Sequence, residues 1–404
     1  MRKLIILIIL VIMVINTAGC EQVSEINSPE TLEKETDKSN IEEETVKEES
    51  TTEETVIDEE QEESSLIEDS DVTEEEYGPT LDGNDLVPSE FRYKARNDFT
   101  DYDFRDSLDN LLNFTIHSND RFPSSEYMPE EFDPKTVLEW GRSPVLGITS
   151  LHEQGITGKG VNIAYIDQDL RESHESIQGK NIHYEWIDYN NAIDYGTSMH
   201  GISVANLIVG DKVGAAPDVN LYFIGHPAYL RDQKSHSEAI YKVIEINETL
   251  PEDGKIKIIG FSDNPDPSES NISDFREAVE AANDNGMVVF FADNGVALIK
   301  PYLDRDNPEN YEPIFNGTDR VTFPTTYTLG NSSMDDHYTY WNRGGTSWTT
   351  PVQVSLAAMA LQVDPNIDVF KMNDMMLESA YNVNRTKLVN PVGFIQLVKE
   401  RKTR

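Results

Sequence analysis

The chain has 404 residues, enough for one large or two ordinary domains with a substantial core. Its formal net charge is -41, and residues 21–77 alone carry 24 Asp and Glu against 3 Lys. Such a balance repels phosphate backbones and anionic headgroups, which argues against a nucleic-acid binder, and one cysteine leaves no pair for an internal disulfide.

Residues 1–19 begin with Arg2 and Lys3, continue as an apolar run from Leu4 to Ile15, and end in Thr17-Ala18-Gly19. The run is too short to span a bilayer and reads as an export signal. The Thr-Ala-Gly-Cys ending resembles the bacterial lipobox. That resemblance implies that Cys20 is lipidated, becomes the mature N-terminus and holds the exported protein on the extracytoplasmic face of the membrane, with plain secretion as the alternative. Residues 20–77 are rich in Glu, Thr and Ser and poor in aromatics. They cannot bury enough apolar surface to offset chain entropy, so they read as a disordered acidic tether. Residues 78–135 bring Phe91, Tyr93, Phe99, Tyr102, Phe104, Leu108, Leu111, Leu112 and Phe114, enough apolar weight to fold.

From Leu138 strand-like and helix-like runs alternate. Val161–Ile166, Asn220–Ile224, Lys255–Ile259 and Gly286–Phe291 read as strands, and Ser203–Val209, Glu238–Glu248 and Asp274–Asp284, the last with Ser273 as N-cap, as helices. The alternation predicts an α/β domain over residues 136–404, its mainly parallel sheet covered by helices on both faces. In such sheets chemistry gathers at the carboxyl ends of strands.

Three motifs fall at such places. Gly160–Asp167 ends a strand on a carboxylate, His200-Gly-Ile-Ser-Val-Ala205 opens an amphipathic helix, and Gly345-Thr-Ser-Trp-Thr-Thr-Pro351 precedes a helical run to Val363. Order and motifs resemble the subtilisin family of serine proteases, whose Asp, His, Ser order is a standard example of a convergent triad. The resemblance implies Ser347 as nucleophile, His200 as general base and then acid, and Asp167 as the carboxylate fixing the imidazole tautomer. Ser347 is expected at a helix N-terminus, with Gly345 permitting the tight approach and Pro351 in the first turn. Ala292-Asp-Asn-Gly295 follows a buried strand where the family carries its oxyanion asparagine, which makes Asn294 the expected amide donor. Val213-Gly-Ala-Ala-Pro217 and Asn390–Phe394 also resemble family landmarks.

The departures are specific. Asp169 stands where glycine is usual, Ser203 replaces the second histidine of the histidine motif, and Asp293 replaces the glycine beside the oxyanion asparagine. If Phe261-Ser262-Asp263-Asn264 corresponds to the substrate-pairing strand, then Ser262, Asp263 and Asp293 contact substrate, and two acids favour a basic residue before the cut. A carboxylate about 6 Å from the oxyanion costs on the order of 3 kcal/mol at an effective dielectric of 20, so Asp293 must point away, bind a cation or impair catalysis. The size of residues 78–135 matches a family prodomain, and a structured extension is the equal alternative. No cofactor is required. Asp304–Glu309 offers oxygen ligands suited to calcium but reads equally as a solvated acidic loop, and no metal residue is assigned. The expected partner is a protein or peptide substrate of an extracellular endopeptidase, with a catalytically silent surface binding protein as the other reading.

Overall fold

Alternate side chains of Asn162–Asp167 go to opposite faces of a sheet, and both faces are buried. In the computed structural model, which describes residues 78–94, 96–230, 232–314 and 317–403, this strand (β1) is the centre of a five-stranded sheet. The expected signal peptide, Cys20 and the acidic tether lie outside the described residues. The other strands are Ile182–Trp186 (β2), Asn220–Gly225 (β3), Ile258–Phe261 (β4) and Val288–Phe290 (β5), in the order β2-β3-β1-β4-β5, and every pairing is parallel. Ile163 and Tyr165 enter one core with helices Met199–Val209 (α1) and Thr349–Val363 (α4). Ala164 and Ile166 enter the other, with Gln233–Thr249 (α2) and Ile272–Asp284 (α3). This is the expected α/β architecture.

The central helices differ from expectation in ways that matter for the site. Helix α1 starts four residues before Ser203, because the Ser198 hydroxyl caps it by accepting from the amides of His200 (2.9 Å) and Gly201 (3.3 Å). Nor is it amphipathic, since every residue from Gly201 to Val209 is buried. Ser203 and Asn206 bond to strand Tyr327–Asn331 (β6): Ser203 Oγ donates to the Gly330 carbonyl at 2.9 Å and Asn206 Oδ1 accepts its amide at 3.0 Å, while Asn206 Nδ2 is buried with no partner among the described residues. At α3 the cap is Asn271, in the left-handed region at φ 58°, not Ser273; asparagine tolerates that conformation and its amide is held by Asp232 at 2.7 Å.

Residues 78–133 pack into the same unit as the sheet. Strand Ile116–His117 pairs antiparallel with His337–Trp341 (β7), which pairs with β6, giving a three-stranded sheet. Phe99, Phe104, Phe114 and Phe132 share one core with Val137 and Tyr340.

Candidate active site

Asp167 ends β1 at the level of Gly225 in β3, just beyond the Ile166–Phe261 pair with β4, so three strand ends meet there. Its Oδ1 accepts the Gln168 amide and lies 2.7 Å from His200 Nδ1. Its Oδ2 is buried with no partner among the described residues. Burial alone lowers the His200 imidazole, but the Asp167 charge and hydrogen bond, with Asp263 adding, lift it above its ordinary value. The loop entering α1 is tied to the same strand end. Asp169 Oδ2 accepts the amides of Thr197 (2.7 Å) and Ser198 (3.2 Å), and Ser198 Oγ donates to Gln168 Oε1. Asp169 therefore has a local task in place of the usual glycine. Gly201 must be glycine, because a Cβ there would sit 2.1 Å from the Asp169 carbonyl oxygen.

Ser347 lies in a short 3₁₀ turn, Thr346–Trp348, one turn ahead of α4, so it does not stand at the α-helix N-terminus itself. Pro351 is in the first turn of α4 as expected. The tight approach falls on Gly344, where a Cβ would be 1.9 Å from Trp348, whereas at Gly345 the nearest atom is 3.9 Å away. The neighbouring Trp348 ring rests on the His200 imidazole, centroids 5.0 Å apart. Among the described residues no hydrogen bond joins the Ser347 hydroxyl to His200.

Ser262 and Asn294 are both turned to internal tasks. The Ser262 hydroxyl lies between the buried Tyr165 hydroxyl and the Ser347 carbonyl, 3.4 Å from the latter, so its side chain braces the serine turn. Asn294 is buried beside that turn, but its amide donates to Gln353 Oε1 (2.8 Å) and Thr349 Oγ1 (3.3 Å). A buried amide must find acceptors, and Gln353 and Thr349 supply them. Asp293 is exposed, and its backbone carbonyl accepts from Arg320. Asp263 is exposed at the surface, yet desolvation by the protein around it raises its carboxyl above the usual value, Glu269 and Asp167 adding, against the Asn264 amide and His200. It is thus close enough to bias the histidine.

In Asp304–Glu309 one side-chain oxygen of each of three residues accepts from backbone: Asp306 Oδ1 takes the Gly147 amide (2.7 Å), Asp304 Oδ1 that of Asp306 and Asn307 Oδ1 that of Glu309. Among the described residues no group of three metal-ligating side chains converges, and no helix is long and apolar enough to cross a membrane. Gln353 went unnoticed in the sequence, and Thr349 and Tyr165, though inside the quoted motifs, were given no role of their own. Ser198 was the readable one, a serine two residues before the histidine in N-cap position.

The profile of the Subtilase family, peptidase S8, matches residues 158–328. This stretch holds Asp167, His200 and Asn294 and ends before Ser347. Solved structures similar to this chain include a PatG macrocyclase domain (16% identity, 63% of this chain and 95% of that one, TM-score 0.47). Others are the prenylagaramide maturation protease PagA (16%, 62% and 98%, 0.46) and the A-subunit of the AB5 toxin from E. coli (15%, 64% and 99%, 0.47).

Proposed function

We propose that this chain is an exported serine endopeptidase, lipid-anchored through Cys20, that hydrolyses peptide bonds with Ser347, His200 and Asp167. The observation that carries the reading is the 2.7 Å contact between Asp167 Oδ1 and His200 Nδ1 at the carboxyl end of the central parallel strand, inside the stretch that matches the Subtilase family. Asp167 holds the Nδ1 proton, which leaves Nε2 free to take the Ser347 proton as Oγ attacks the scissile carbonyl carbon. The imidazolium so formed is stabilised by the buried carboxylate and returns its proton to the leaving amine, giving an acyl-enzyme that water hydrolyses by the same route. Asn294 serves the oxyanion once its amide leaves Gln353 or Thr349 for the substrate.

A second reading, a silent subtilase-like binding protein on the cell surface, is favoured by the engaged Asn294 amide and the unlinked Ser347 hydroxyl. A fluorophosphonate probe separates the two. The endopeptidase reading expects covalent label on the wild type and none on Ser347→Ala; absence of label on a folded wild type leaves only the binding protein. Cys20→Ser is expected to move the protein from the membrane fraction to the medium.

A further inference from the structure

The loop that carries Ser347 leaves β7 at Trp341 and passes through Gly344-Gly345 before reaching the 3₁₀ turn. Two adjacent glycines give such a loop little stiffness of its own, so something outside it must fix its path. Much of that support comes from residues 78–133. Phe91 is packed against Phe99 and Phe114 at centroid distances of 5.2 and 6.4 Å, which anchors the short turn Pro88–Phe91 in the aromatic core. From that anchor the Arg92 guanidinium donates to the Arg343 carbonyl, and the Tyr93 ring leans on Trp341 at 5.9 Å. Asn342 between them is held by Asn113 and Thr115. The ring contacts then continue inward, Trp341 to Trp348 at 6.2 Å and Trp348 to His200 at 5.0 Å.

We propose that Arg92 and Tyr93 are positioning residues that clamp the Ser347 loop from outside, and that residues 78–133 are a permanent part of the working fold and not a cover to be removed. Tyr93 is 64% exposed, so little global stability rests on its ring, and its place against Trp341 is accounted for by the loop it holds. The effect on catalysis rests on the endopeptidase reading; the clamp itself does not.

The test uses the full chain as wild type, Tyr93→Ala, Tyr93→Phe and Arg92→Ala, with two readouts. Hydrogen exchange read by mass spectrometry should rise for the 341–348 peptide in Tyr93→Ala and Arg92→Ala and stay unchanged for the buried 356–361 peptide. Tyr93→Phe, which keeps the ring, should exchange like the wild type. Fluorophosphonate labelling of Ser347 should slow about tenfold in Tyr93→Ala, be restored in Tyr93→Phe, and leave peptide KM unchanged. Unchanged exchange at 341–348 in both alanine variants overturns the clamp, as does an active mature protein whose N-terminus lies beyond residue 133. A wild type that takes no label overturns the endopeptidase reading alone, since the exchange comparison still decides the clamp.

Discussion

At the scale of single residues, the charge around His200 governs the pH at which it can act. A general base must be neutral, so labelling of Ser347 should rise with pH through the His200 pKa, which Asp167 and Asp263 hold above the ordinary value. Replacing Asp263 by Asn removes one of the two raising charges. The acid limb of the labelling rate should then move to lower pH, and preference for Lys or Arg before the cut should weaken. An unmoved limb would show that Asp263 does not reach the histidine. Asp263, Asn294 and Ser262 came from the sequence as substrate and oxyanion contacts. Their positions beside Asp167, His200 and the Ser347 turn were legible because they follow strand ends. Their partners were not, because a hydroxyl or amide bonds whatever acceptor packing brings to it, and Tyr165, Gln353 and Thr349 are 97, 59 and 55 residues away.

At the scale of elements, the site depends on how closely α1 approaches the end of β1. Gly201→Ala puts a methyl 2.1 Å from the Asp169 carbonyl oxygen, a backbone atom that cannot swing aside. Overpacking of this kind destabilises by about 1–3 kcal/mol, and here it also pushes His200 from Asp167. Gly345→Ala is the control: its φ of -86° suits any residue and the space is open, so stability should change by about 0.5 kcal/mol or less. Equal denaturant midpoints for the two variants would refute the close approach. These tasks do not follow from sequence, which assigned the tight approach to Gly345, quoted Gly201 only as part of the histidine motif and did not mention Gly344. The tight contacts are made with Asp169 and Trp348, one of them 32 residues distant.

At the scale of the whole molecule, four buried histidines set the response to acid. Burial lowers His117 to about 4 and His236 to about 4, and it lowers His174 and His226 as well. Unfolded, each titrates near 6.5, so between pH 6.5 and 4 the unfolded chain binds more protons and stability falls as pH falls. Three groups oppose this. Asp120, raised by burial to about 6, and Asp263, raised chiefly by burial, bind their protons in the folded state first, and His200, raised above 6.5, stabilises the fold most below that pH. Four histidines against three leaves a net loss. The thermal midpoint should drop from pH 6.5 to 4, and the drop should steepen in Asp120→Asn; a flat profile would mean the histidines are not buried neutral.

The sequence by itself determined the α/β class, the central strand ending in Asp167, the helix carrying His200 and the turn carrying Ser347. These are encoded locally, in side-chain period, turn residues and short motifs. Only the tertiary structure decided which groups touch: the Asp167–His200 bond, the inward-turned Asn294, and the hold that residues 91–93 and 113–117 take on the strand and loop before Ser347. Such contacts are chosen by packing between segments more than two hundred residues apart in some cases, and no local pattern records which acceptor or ring will be nearest once the cores have closed.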